Sequence, residues 1–285
     1  MSIALHTFVL TTRQGLPLRV DLRFPQDGSP RAGVIVCHGF KGFKDWGFFP
    51  WVSDRLAEAG FAVATPDFSM NGVGETPGEF TRLDLFERNT YSQELSDLGQ
   101  VMGWMVMDSP VAGPLDGGRL GVLGHSRGAL AGVVAAAENP DIRALVTWNG
   151  VSRALRFSER QLAQWERDGR MEFENSRTGQ KMAVGFGLVE DARAHARRFD
   201  LAGACRRMRA AHLIVHAAED LAVPVESAEE LRAGRTDAAR CRVELIERTS
   251  HTFGAAHPFQ GPTPALERAT TLAKEWLIQH LSPAR

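Results

Sequence analysis

Gly124-His125-Ser126-Arg127-Gly128 follows the run Arg119-Leu120-Gly121-Val122-Leu123 and opens an alanine-rich stretch, Ser126–Ala137, that stops at Asn139-Pro140. The first run reads as a short buried strand and the second as a helix. A serine squeezed between the two occupies a tight turn that lifts its hydroxyl above the edge of a sheet. Glycine is needed two residues to either side because a side chain there would collide with the neighbouring backbone. Gly132 and the alanines around it let the helix lie close to that sheet.

Working outward, strand and helix signals alternate. Upstream, His6–Thr12 and Pro17–Phe24 alternate apolar and polar residues across Arg13-Gln14-Gly15, a hairpin signal. The turn-rich Pro25–Arg31 leads to Gly33–Cys37, a continuous apolar run suited to a strand covered on both faces. It ends in His38-Gly39-Phe40 and a glycine- and aromatic-rich loop, Lys41–Pro50. A helix over Trp51–Ala59, a strand over Phe61–Thr65 and a long loop over Phe68–Phe80 come next. The glycines at 72, 74 and 78 in that loop have the wrong spacing for a dinucleotide fingerprint, and no helix opens there. Glu87–Met107 reads as one long helix, joined to the serine strand by a Pro/Gly-rich connection.

Downstream, Ile142–Trp148 is a strand, after which the rhythm breaks. Residues 151–201 are charged and aromatic, with helical patches at Ser158–Asp168 and Val189–Arg198 and no strand candidate comparable to those elsewhere in the chain. They are expected to form a small helical cap over the end of the sheet. Alternation resumes with strand His212–Ala217, helix Val225–Ala233 and strand Arg242–Glu247. In the closing helix Leu266, Ala269, Ala273, Trp276, Leu277 and Leu281 recur at helical spacing. The expected architecture is a single α/β domain over residues 1–285, with a mostly parallel eight-stranded sheet, helices on both faces and an antiparallel hairpin at one edge.

Ligands of such sheets bind beyond the carboxyl ends of the strands. Ser126, His38-Gly39-Phe40, Asp220 and His251 all fall there. A serine hydroxyl is a poor nucleophile at neutral pH and needs a base. Of nine histidines, His251 in Thr249-Ser250-His251-Thr252-Phe253 is favoured, with His257 as its rival. His38 and His125 lie inside turn motifs and are expected to make structural hydrogen bonds. Asp220, followed by Leu221-Ala222-Val223-Pro224, is favoured over Glu219 as the carboxylate that orients the histidine. The backbone N–H groups of Phe40 and Arg127 are the candidate oxyanion donors. The Arg127 side chain has two readings, a substrate carboxylate or an ion pair within its own fold. Among the aromatics near the rim, Trp46, Trp148 and Trp165 are the candidate substrate-binding residues.

Composition narrows the alternatives. With 44% apolar and 24% charged residues and a formal net charge of −1, nothing points to disorder, nucleic acid or an anionic membrane. No apolar run approaches the length needed to cross a bilayer, and Met1–Thr12 lacks the basic start and apolar core of a signal peptide. Cys37, Cys205 and Cys241 are widely spaced and odd in number, which disfavours a disulfide framework or a zinc site and suggests a reducing cytoplasm.

Taken together, Gly-His-Ser-Arg-Gly, the His38-Gly39-Phe40 loop, the Asp220 loop and His251 occur in the order nucleophile, acid, base. The chain resembles the α/β-hydrolase superfamily over its whole length. Its His38–Lys44 and Ile214–Pro224 segments resemble small bacterial esterases, including cinnamoyl/feruloyl esterases and dienelactone-hydrolase-like enzymes, from which it departs at Ala217, where they commonly carry glycine. The resemblance implies a serine hydrolase acting on a small carboxylic ester or thioester, without a metal or organic cofactor. A serine peptidase and a non-catalytic binding protein are the alternatives, and a homodimer is left open.

Overall fold

In the computed structural model, residues 2–26, 32–109, 119–175 and 178–282 are described. Most of the turn-rich 25–31 segment and of the Pro/Gly-rich connection before the serine strand lies outside them. The elements in chain order are β1 (Ile3–Thr11), β2 (Pro17–Pro25), β3 (Gly33–Cys37), α1 (Phe49–Glu58), β4 (Ala62–Pro66), α2 (Leu83–Arg88) and α3 (Tyr91–Met107). Then come β5 (Leu120–His125), α4 (Arg127–Glu138), β6 (Ile142–Trp148), α5 (Glu159–Asp168), β7 (Arg170–Glu174) and β8 (Lys181–Gly185). The chain closes with α6 (Gly187–Ala194), α7 (Leu201–Arg207), β9 (Ala211–Ala217), α8 (Glu226–Ala233), β10 (Cys241–Ile246) and α9 (Pro264–Leu281).

Eight strands form one sheet in the order β1-β2-β4-β3-β5-β6-β9-β10. β2 pairs antiparallel with both β1 and β4, and every pairing from β4 across to β10 is parallel. The antiparallel hairpin therefore sits at one edge, as the sequence predicts. β3 and β5 are buried throughout because helices cover both faces. One core holds α3, α4 and the cap against the sheet, and the other holds α1 and α9. Small residues set the spacing on both sides. A Cβ on Gly132 of α4 would lie 3.0 Å from Leu145, and one on Gly121 of β5 would lie 2.8 Å from Leu281 of α9.

Two expectations are corrected. The stretch from Glu87 is not one helix. The chain leaves the helical conformation at Asn89 (ψ 141°), and Thr90 restarts it by accepting the Gln93 N–H on Oγ1 at 3.1 Å. The cap is not purely helical either, since β7 and β8 form an antiparallel hairpin pairing Phe173 with Met182 and Met171 with Val184. The period-two alternation is present in Arg170-Met171-Glu172-Phe173-Glu174, but charged residues fill every outward position.

His212 on β9 has no exposed surface. Its Nε2 lies 3.0 Å from Thr147 Oγ1, and its Nδ1 has no partner among the described residues. Burial, and then Arg235, lower its pKa to about 3. The unfolded chain therefore binds a proton below about pH 6.5 that the folded chain refuses, and stability falls with pH until the folded value is reached. Relative to wild type, His212→Asn should gain about 2 kcal/mol between about pH 7 and about pH 5. Urea unfolding of both proteins at the two pH values measures it.

Candidate active site

Parallel pairing from β3 to β10 brings the carboxyl ends of β3, β5, β6, β9 and β10 to one rim. At its centre Ser126 has φ 56° and ψ −117°, a conformation rare for a residue with a side chain. Its N–H donates to the Trp148 carbonyl at 2.9 Å. The turn closes so tightly that a Cβ on Gly128 would lie 2.5 Å from the carbonyl oxygens of Cys37 and His38. A Cβ on Gly124 would lie 2.7 Å from the Ala129 backbone. The loop after β3 approaches equally closely, since a Cβ on Gly39 would meet the Ser126 Cβ at 2.8 Å.

Asp220 follows β9 and His251 follows β10. The buried Asp220 carboxylate accepts the Ala222 and Val223 N–H groups on Oδ1, at 2.8 and 2.9 Å, and faces His251 Nδ1 from Oδ2 at 2.7 Å. Burial alone would raise its pKa. The His251 N–H and the two amides outweigh that and hold it below the ordinary carboxylate range. An ionised carboxylate only accepts, so the neutral tautomer that fits this contact has its proton on Nδ1 and Nε2 bare. Ser126 and His251 line the same two cavities. Glu219 is exposed. His257 Nδ1 accepts the Gly47 N–H at 2.9 Å, and its ring packs against Phe43 and Trp46.

Two residues hold the histidine loop from beneath. His125 Nε2 lies 2.9 Å and Asn149 Nδ2 2.7 Å from the carbonyl oxygen of His251. Burial, and then His251, lower the His125 pKa to about 3, so this imidazole is neutral and donates from Nε2. Asn149 is completely buried at φ 48°, and its Oδ1 accepts the Ala217 N–H at 2.7 Å. It thus ties the end of β9 to the loop that carries His251. The sequence reading missed this residue. Its one local signal is an asparagine before glycine at a strand end, the pattern of a positive-φ turn. Asn149→Ala should cost about 2–4 kcal/mol, since it strands a buried N–H and loses a favourable αL residue. Urea denaturation would measure the loss.

The candidate oxyanion donors belong to the two segments that meet at Ser126, the loop after β3 and the start of α4. The Arg127 N–H begins α4, where no intrahelical acceptor exists. Phe40 follows Gly39, and its ring packs 5.3 Å from Phe86 and 5.1 Å from Phe173 of the cap hairpin. His38 secures the loop. Its Nδ1 donates to the Gly39 carbonyl at 2.9 Å and its Nε2 accepts the Phe68 N–H at 3.2 Å. Burial lowers its pKa and keeps it neutral. Both turn histidines therefore make the structural hydrogen bonds expected of them.

A cavity of about 610 Å³ lies between Ser126 and the cap, walled by Phe157, Trp165, Phe173 and Val184. Trp165 is fixed there by donating Nε1–H to the Val184 carbonyl at 2.9 Å. A smaller cavity of about 270 Å³ on the side of Thr252 and His257 includes Trp46. Trp148 lines neither. It is wholly buried against Phe48 and Phe253 in the core on the α1/α9 side of the sheet, which corrects its assignment to the pocket. Among the described residues, no three His, Cys, Asp or Glu side chains gather as a metal site, and no helix is long and apolar enough to cross a membrane.

Residues 20–162 match the family described as PETase, PET hydrolase-like. A bis(hydroxyethyl) terephthalate hydrolase from Streptomyces coelicolor is 29% identical over 119 residues, 41% of this chain and 33% of that protein. The match thus spans about a third of that relative's length. Among solved structures, Est1E from Butyrivibrio proteoclasticus superposes with a TM-score of 0.69 at 18% identity, covering 97% of this chain and 99% of that one. Dienelactone hydrolase from Anabaena variabilis gives 0.64 at 19% identity over 99% and 100% of the two chains. A putative hydrolase from Agrobacterium vitis gives 0.74 at 15%, over 97% and 100%. With a family match over half its length and a fold shared with these neighbours, the chain belongs to the PET hydrolase-like family of α/β-hydrolases.

Proposed function

We propose that the protein hydrolyses carboxylic esters through an acyl-serine intermediate. The supporting observation is the 2.7 Å contact from His251 Nδ1 to the buried Asp220 carboxylate, with His251 and Ser126 lining one cavity. Bare Nε2 takes the proton of Ser126 Oγ as the oxygen attacks the carbonyl carbon. The Phe40 and Arg127 amides receive the charge that develops on the carbonyl oxygen, each worth about 3 kcal/mol of barrier. The imidazolium then gives its proton to the departing alkoxide, and the alcohol leaves. Water, deprotonated by the same nitrogen, attacks the acyl-serine and releases the acid.

Residues 1–285 act in this reading as one domain with 151–201 as its lid. Trp46 and Trp165 serve as pocket walls. The three buried free cysteines fit a reducing compartment such as the cytoplasm. An aminopeptidase would need a carboxylate for the substrate ammonium, and no Asp or Glu is among the described residues lining the larger cavity. The test is a fluorophosphonate probe, with intact mass and peptide mapping, beside panels of 4-nitrophenyl esters and aminoacyl naphthylamides. A single adduct on Ser126 with ester turnover is expected. An adduct elsewhere, or turnover of the amides alone, would overturn the reading.

A further inference from the structure

The walls of the larger cavity are apolar toward the cap, but its charged lining has one sign. Lys41, Arg127, Arg153 and Arg156 line it, with no acidic residue among the described lining residues. Two of these arginines have counterions in the fold. Arg153 pairs with Glu230 at 2.7 Å, and Arg127 Nε donates to Glu94 at 3.1 Å. Glu94 also accepts the Asn89 amide at 2.9 Å. Arg156 donates only to the Ala222 carbonyl, at 3.0 Å, and has no carboxylate partner among the described residues.

Arg127 is the more unusual group. It is buried to 7% exposure, and its guanidinium carbon stands 4.5 Å from the centre of the Tyr91 ring and 5.7 Å from that of Phe40. Among the described residues only Nε is hydrogen-bonded, and buried Nη2 has no partner there. A buried donor left open costs stability unless a ligand supplies the acceptor.

We infer that the larger cavity takes an acyl group ending in a free carboxylate, so that the preferred substrates are half-esters of dicarboxylic acids with an apolar spacer. The inference rests on the esterase reading and adds the substrate class. His251 must protonate the leaving oxygen, so the alcohol belongs beside its loop, in the smaller cavity of Thr252 and His257. The acyl chain then runs the other way, along Phe157, Trp165 and Phe173, toward the guanidinium groups of Arg127 and Arg156. Arginine suits the task because its planar fork matches a carboxylate. Hydrolysis consumes one water and releases the alcohol, the dicarboxylate and one proton to solvent.

The experiment compares kcat/KM for 4-nitrophenyl half-esters of adipic, suberic and sebacic acids with esters in which an isopropyl group replaces the free carboxylate. The leaving group is constant, so the ratio reads recognition of the far end. At least one half-ester should be preferred by about tenfold or more, with the preference shrinking in about 0.5 M NaCl. Arg156→Gln should bring that ratio below about threefold. Arg127→Lys keeps a cation beside Glu94 but lacks the open guanidinium N–H groups, and it should lower the ratio in the same direction.

A ratio of one or less throughout the series, with the alkyl esters turned over, would overturn the half-ester inference and leave the esterase reading standing. A preference unchanged in both variants would overturn it too. Absence of turnover of every ester, together with no fluorophosphonate adduct, would overturn both readings.

Discussion

Ser126→Ala is expected to lower ester turnover by about a million-fold and to abolish fluorophosphonate labelling, while leaving the fold intact. A loss of that size corresponds to roughly 8 kcal/mol of barrier. It exceeds any plausible effect of binding because alanine removes the atom proposed to form the covalent bond. The scaffold should tolerate the change. Ser126 contributes its backbone to the turn, through the N–H bond to the Trp148 carbonyl, and its side chain makes no capping hydrogen bond to α4. Activity should not vanish entirely, because the amides proposed as oxyanion donors, those of Phe40 and Arg127, remain to polarise an ester toward water. Circular dichroism and urea unfolding close to wild type, with turnover at that residual level, is the full expected result. A variant that still labels and turns over would place the nucleophile elsewhere.

Asp220→Asn is expected to cost about ten-thousand-fold in kcat, roughly 5.5 kcal/mol, with a smaller effect on stability. The carboxylate accepts the proton on His251 Nδ1, which keeps Nε2 free to act as a base. An asparagine whose amide faces His251 donates to Nδ1 instead. That drives the imidazole proton to Nε2, where it meets the serine hydroxyl as a donor. The oxygen that accepts the Ala222 and Val223 amides is retained, so the loop keeps its shape. The two variants therefore differ in kind. Asp220→Asn should still form the fluorophosphonate adduct, slowly, whereas Ser126→Ala forms none. Equal labelling rates in Asp220→Asn and wild type would mean that Asp220 has no part in orienting the base.

Because Asp220 sits below its ordinary pKa, its contribution to stability is present above about pH 4 and is lost as pH falls through the folded value. Histidines 125 and 212 act in the same direction across a higher window, from about pH 6.5 down to about 3.

The strand–serine–helix turn, the alternation of strands and helices and the hairpin edge were legible in the residues alone. Each rests on local chemistry, such as apolar runs, glycines where a Cβ would strike backbone, and turn residues between them. Asp220 and His251 could be singled out for a related reason, since each directly follows a strand in a sheet whose parallel order sends all such loops to one rim. Tertiary structure alone decided the remainder. Trp148 and Trp165 look alike in sequence. A strand covered on both faces gives no sign of which face carries the cavity beside Ser126, and Trp148 turned out to face the opposite core. The cap hairpin was hidden because its apolar positions are few and its outward positions all charged, so only pairing across the cap makes it a sheet. Asn149 beneath His251 and Glu94 beside Arg127 are joined to their partners across 102 and 33 residues. Hydrogen bonds over such spans leave no periodicity in the chain, and they exist only once the fold has brought the strand ends together.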